Sequence, residues 1–292
     1  MTRFGTRPGR LHPRSEEDAM IDQYAGLPIS LDPVTGELAF HDGLICDGSS
    51  SKKVGQMTGL YADMNLTDPG ALVYRAYRNI RFPEHDALFS DMDIRYDITV
   101  ILPGTVNGEF HKTSGHFHGC GPGKKVPYTE VYEVIAGEII FILQHNTDFM
   151  SGHDNCDSVL AVHVNAGQAI VIPPFCGHGS INPAGSVSAF SNLAVTSCPL
   201  HYDPISRNKG LAARIMKYGE GFTAVPNDSY PALPAVSVCV PEEAPHLGIS
   251  FGVPCYRRFV DDPDIFSYLT HPEKYSGSSV QKLQIVRHES AQ

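Results

Sequence analysis

Turn-forming residues cut this chain into pieces too short for long helices. Its 22 prolines and 27 glycines fall between short apolar runs. From Tyr96 onward those runs have the length and alternation of strands. YDITVILPG ends at Pro-Gly, and GEFHKTSGHFH continues as a second strand. A turn at Ala136-Gly137 separates TEVYEVIAG from EIIFILQ, and one at Asn165-Ala166-Gly167 separates SVLAVHVNAG from QAIVIPP. SVSAFSNLAVTS closes the series. This spacing predicts an all-β-dominated domain, a sandwich or barrel with a few short peripheral helices.

The flanks read differently. Residues 1–25 are expected to form an N-terminal arm, mobile or draped. GLPISLDPVTGELAF reads as a hairpin turning at DPVTG. KKVGQMTGLYADMNLTDPGALVYRAYR is the best helical candidate, interrupted near Asp68-Pro69-Gly70. After residue 232 the texture becomes proline-rich in PALPAVSVCVPEEAP, and DDPDIFSYLTHPEKY reads as a short helix. Residues 26–232 are therefore taken as the main domain. Residues 233–292 are taken as an extension that covers the barrel or a partner subunit.

Composition narrows the function. A net charge of -10 argues against a broad nucleic-acid or anionic-membrane surface, while leaving room for a small anionic substrate met by local donors. No run approaches the roughly 20 apolar residues of a membrane helix. The N-terminus is polar and carries no secretory pattern. The seven cysteines are odd in number and include no CxxC pair, as suits reduced thiols in a cytoplasmic protein.

Chemistry concentrates in KTSGHFHGCGPGKKVPYTEVYEVIAG. His116 and His118 are two apart, so on a strand both imidazoles project to one side, within reach of one metal ion. Glu130 on the next strand and His178 in VIPPFCGHGSIN are the further candidates. Three histidines and a carboxylate suit iron, nickel, zinc, copper or manganese and leave coordination positions open. A lone HxH is more often incidental. His111, His145, His153 and His163 read as surface or hydrogen-bonded histidines. Glu133 sits an odd number of residues from Glu130, so it points to the opposite face and is expected to meet solvent. Glu138 reads as a turn charge.

The arrangement raises the signal above the single motif. HxH, then Glu130, then six residues and Gly137 is the first half of a cupin pattern. Gly167, five residues, Pro173, then His178, three residues and Asn182 is the second half. The general pattern has glycine where this chain has Phe175. The chain thus resembles the cupins, whose jelly-roll barrel would bring HxH, Glu130 and His178 to one mouth.

TVILPGTVNGEFHKTSGHFH, EVYEVIAGEIIFILQ and GQAIVIPPFCGHGSIN together resemble the cupin-type (archaeal-type) phosphoglucose isomerases. SSSKKVGQMTGLYAD, ALVYRAY and HYDPISRNKGLAARIMKYGEGFTAVPN extend the resemblance over about residues 26–232. It implies one divalent metal per subunit on His116, His118, Glu130 and His178. The family leans towards iron, with manganese, nickel and zinc as alternatives. It implies sugar-phosphate contacts at Tyr74, Thr99, Thr113, Gly115, Tyr132 and His201, mostly neutral donors. It also implies a homodimer. The reaction implied is interconversion of glucose 6-phosphate and fructose 6-phosphate. Glu130 would be the base of a cis-enediol route, or a metal-assisted hydride shift would replace it.

This chain departs from the family pattern in places. Its loop from His118 to Glu130 is longer and carries Cys120, Lys124 and Lys125. Ser114 stands where a basic residue is expected, with Lys112 beside it, and Thr196 stands for a tyrosine. The rival functions are another cupin metalloenzyme, a dioxygenase or decarboxylase, and a non-catalytic sugar-phosphate-binding barrel.

Overall fold

The computed structural model describes residues 19–289 except Met64, Leu66 and Thr67. Two sheets face each other, the first antiparallel and the second antiparallel but for one pair. In the first, the strand order is Ala169–Ile172, Glu130–Ala136, Ser188–Val195, Ile94–Ile101, Leu72–Arg78 and Gly48–Lys53. In the second it is Cys176–Ile181, Glu138–His145, Ser158–Asn165, Val236–Pro241 and Leu283–Glu289. The inward side chains of both sheets make one core, with Tyr132, Val134 and Phe190 from the first and Ile139, Phe141, Leu143 and Val162 from the second. The architecture is the jelly-roll sandwich of a cupin, with helices no longer than seven residues among the described residues.

Most of the N-terminal arm, residues 1–18, lies outside the described residues. Residues 19–25 are folded. Ala19–Met20 pairs with Ile29–Leu31, and a helical turn at Asp22–Ala25 buries Ala25. The hairpin forms as read, Ile29–Leu31 against Leu38–Phe40. The helical reading of residues 52–78 is corrected. The segment is a strand end, a 3-10 turn at Val54–Met57, and then the strand Leu72–Arg78. LVYRAYR is rich in residues that favour strands, and Ile94–Ile101 and Gly48–Lys53 pair with it on either side. The second-strand reading of GEFHKTSGHFH holds only in two-residue pieces, Glu109–Phe110 and Phe117–His118.

Phe175 explains the missing glycine. Its φ is 63°, the left-handed region that glycine enters freely, at a cost for phenylalanine of about 1 kcal/mol or more. Packing against the core cluster on the outer side of the second sheet compensates, and its carbonyl accepts the Asn146 N–H at 2.9 Å.

The chain after residue 232 adds two strands to the second sheet and covers the first. Val236–Pro241 adds in parallel to Ser158–Asn165, and Leu283–Glu289 adds antiparallel to it. Between them, residues 242–282 fold across the outer face of the first sheet. There Tyr256, Phe259, Phe266 and Leu269 join Val131, Ile135 and Val171 in one buried cluster. The helix here is Cys255–Asp261, earlier than expected, while Pro263 and Pro272 each open a short 3-10 turn instead. Gln281 caps the sheet edge like a neighbouring strand. It accepts from Val171 N–H at 2.8 Å and donates to the Ala169 carbonyl at 3.0 Å. The longer loop after His118 docks on this extension. Lys124 Nζ donates to the Thr270 carbonyl, and Thr129 Oγ1 donates to the Tyr268 carbonyl at 3.0 Å.

This cover overturns the expectation for Glu133. It does point to the opposite face from Glu130, but that face is roofed by the extension, and Glu133 is only 2% exposed. The Cys255 N–H donates to it at 3.0 Å and Ser191 Oγ at 3.4 Å. Burial still dominates and pushes its carboxyl up from 4.5 to about 8, although the Cys255 and Ser191 bonds favour the anion. The folded chain therefore holds this proton over a pH range in which the unfolded chain has released it. Stability contributed here is whole below the unfolded value of 4.5, falls as pH rises, and levels off above about 8. The full span is on the order of 5 kcal/mol. Glu133→Gln is expected to flatten that fall, so its advantage in melting temperature over wild type grows from pH 5 to 8. Parallel melting curves of the two proteins across this range would refute the buried-carboxylate account.

Candidate metal centre

The centre depends on close approach of two backbones. His116 N–H donates to the His178 carbonyl and His178 N–H to the His116 carbonyl, both at 3.0 Å. Small residues make room for this. A Cβ on Gly177 would lie 2.4 Å from the Phe117 ring, and one on Gly179 would lie 2.7 Å from Leu211. Gly115, at φ 75°, turns the chain into the approach, and a Cβ there would press on Leu211 and the His178 carbonyl. The G-H-G pattern around His178 is thus a packing requirement of the site.

Four side chains converge. The candidate donor atoms of His116, His118, Glu130 and His178 all lie within 4.8 Å of one another. Glu130 Oε2 is 3.1 Å from His118 Nε2 and 3.5 Å from His178 Nε2. Neither contact is directed as a hydrogen bond to His178, and Glu130 Oε2 and His178 Nε2 are buried without a hydrogen-bond partner. Two imidazoles are oriented from behind: His118 Nδ1 lies 3.0 Å from the Tyr128 carbonyl and His178 Nδ1 lies 3.1 Å from the Cys176 carbonyl. A proton on each Nδ1 leaves the Nε2 lone pairs facing the centre.

Electrostatics agree with that tautomer. Burial, with the neighbouring imidazoles, depresses His116 well below its ordinary value, and burial depresses His178. Burial alone would raise Glu130, but the imidazoles of His118 and His178 outweigh it and hold the carboxyl well below the usual range. A carboxylate with one buried, unpartnered oxygen among three imidazoles, two of them held neutral by burial, is a donor set that fits a divalent cation.

A pocket opens beside this cluster. Of the expected substrate contacts, Tyr74, Thr99, Thr113, Gly115 and Tyr132 line it. His201 does not. It pairs opposite Phe117 in the two-residue strand Leu200–His201, so it shares the Phe117 side and not the His118 side. Its ring lies 5.8 Å from Phe149 and packs over Gly119. Tyr202 faces the pocket instead, 5.5 Å from the His116 ring. Lys112 is also elsewhere, buried with its ammonium on Glu109 and the Leu60 carbonyl. His111, His145 and His163 bond to Leu102, Asp157 and Glu138, outside the cluster.

The sequence reading missed Asn192, Arg78 and Arg95, all in the pocket wall. Asn192 donates to Glu130 Oε1 at 2.7 Å, which fixes the carboxylate so that Oε2 faces the imidazoles. Its alternation with Phe190 along FSNLAV was the available signal.

The glucose-6-phosphate isomerase family model matches residues 51–232. Glucose-6-phosphate isomerase of Thermococcus litoralis is 26% identical over 192 residues, covering 64% of this chain and 90% of its own. That of Thermococcus onnurineus is 25% identical over 172 residues, covering 59% and 79%. Among solved structures, recombinant oxalate oxidase in complex with glycolate aligns over 56% of each chain at 15% identity and a TM-score of 0.31, too low to bear on function.

If the approach of the two backbones builds the centre, crowding it should cost metal. Gly177→Ala is expected to lower the divalent-metal content of the folded protein, and His178→Ala to lower affinity by at least about tenfold. Elemental analysis after dialysis against a fixed free-metal buffer measures both. Wild-type stoichiometry and affinity in His178→Ala would remove that residue from the ligand set.

Proposed function

The chain belongs to the glucose-6-phosphate isomerase family, and on that premise we propose that it interconverts glucose 6-phosphate and fructose 6-phosphate in the pocket beside Glu130. The observation that carries the reading is the convergence of three imidazoles, two of them with Nε2 towards the centre, and an unpartnered carboxylate oxygen on the wall of a polar pocket. His116, His118, Glu130 and His178 would hold one divalent ion, iron in the first place, with manganese, nickel or zinc also suited to nitrogen and oxygen donors. Such an ion, when bound, would act as a Lewis acid on the oxygens of C1 and C2, the carbons between which hydrogen moves.

The chain's own groups do the rest. Glu130, held at Oε1 by Asn192, is the base that takes the proton from C2 and returns it to C1. Tyr132 shares its face of the strand and stands beside it. Tyr74, Thr99, Thr113 and the Gly115 N–H offer neutral donors to the sugar phosphate, and Tyr202 takes the place first assigned to His201. The same reading makes this a cytoplasmic enzyme acting as a homodimer. The open sheet edge at Gly48–Lys53 is where a second copy would pair.

The test is turnover of fructose 6-phosphate, followed through glucose-6-phosphate dehydrogenase, by protein stripped and reloaded with each metal. Turnover that chelator abolishes and metal restores is expected. Glu130→Gln should lower kcat by about a hundredfold or more. Solvent deuterium should enter C2 of the product if Glu130 is the base. A Glu130→Gln variant with wild-type kcat would sink that role, and no turnover with any metal would sink the isomerase reading.

A further inference from the structure

The neutral donors leave the substrate's charge unmatched, and Ser114 stands where the resemblance has a base. Yet two guanidiniums lie in the pocket wall. Arg78 ends the strand Leu72–Arg78, and Arg95 begins its neighbour Ile94–Ile101. They meet on Asp97. Arg78 Nη1 and Arg95 Nε both donate to Oδ2, at 2.7 and 2.9 Å, while the Asn79 N–H donates to Oδ1 at 2.8 Å. The Asp97 side chain is fully buried, whereas Arg78 is 48% and Arg95 23% exposed. Arg95 Nη1 also reaches the Thr196 carbonyl at 3.3 Å. The remaining donors of both arginines have no other hydrogen-bond partner among the described residues.

One carboxylate shared by two guanidiniums leaves one positive charge uncompensated, with N–H forks of the shape that grips phosphate. The location suits a long substrate. Asp97 and Tyr132 are both in register with Asn192, so one strand separates them, roughly 10 Å across the sheet. The arginines therefore face Glu130 across the pocket, Arg95 with one strand between and Arg78 with two. Arg78, Arg95, Asp97 and Glu130 sum to zero charge. A divalent ion on the imidazoles would bring the pocket to the charge that balances a phosphate dianion.

We infer that Arg78 and Arg95, braced by Asp97, are the binding site for the anionic end of the substrate, a phosphate monoester, and orient its carbon chain towards Glu130. This rests on the isomerase reading and adds the residues that select a phosphorylated sugar.

The experiment uses the full chain, stripped and metal-loaded, as wild type, Arg78→Gln and Arg78→Lys. Arg78 is chosen because it is the more exposed of the pair. Calorimetry with inorganic phosphate gives Kd, and turnover of fructose 6-phosphate gives KM and kcat. Arg78→Gln is expected to raise the phosphate Kd and the KM by a similar factor, about tenfold, with the loss in KM more than in kcat. Arg78→Lys should fall between. No phosphate binding by wild type, an equal Kd in all three proteins, or a loss confined to kcat overturns the site. If wild type binds phosphate but turns over no hexose phosphate, the isomerase reading fails. The ratio of phosphate Kd values then still decides the site.

Discussion

Two backbone hydrogen bonds between His116 and His178 hold together everything that follows. They fasten the segment carrying HxH to the strand carrying the third histidine, and so join elements far apart in the chain. The fastening is possible only because Gly115, Gly177 and Gly179 leave the space empty. A methyl group at any of them would separate the strands before it altered the chemistry. The order of causes runs from small residues, to close backbones, to converged imidazoles.

Around that fastening three of the four candidate ligands are oriented by a neighbour outside the set. Carbonyls of Tyr128 and Cys176 orient two imidazoles, and the Asn192 amide orients the carboxylate. The arrangement keeps polar atoms buried and unpaired at the centre, which a folded chain tolerates only where something else will occupy the space.

The sequence was legible wherever side-chain parity and spacing sufficed. HxH on one face and Glu130 with Tyr132 on the next strand could be read from alternation, and His178 from its spacing after Pro173 in the cupin pattern. Parity says which face a residue occupies and not whether that face is covered, so Glu133 was misjudged. His201 came from the resemblance alone, and the structure turns it to the Phe117 side and puts Tyr202 in the pocket wall. The strand Leu72–Arg78 was misread because its partners lie elsewhere in the chain. Arg78 and Arg95 were passed over for the same reason: their shared acid, and with it their position, exists only once strands 72–78 and 94–101 are paired.

The strand Glu130–Ala136 is buried on both faces, by the barrel interior on one side and by residues 242–282 on the other. The second covering lies wholly beyond the region that the family model matches. Motif comparison therefore sees only the front of this strand. Val131, Glu133 and Ile135 answer to the extension, and the extension's Thr270 and Tyr268 carbonyls accept from Lys124 and Thr129 of the loop between His118 and Glu130. Divergence among chains with identical ligand motifs can therefore begin behind the strand, in residues that never meet a substrate.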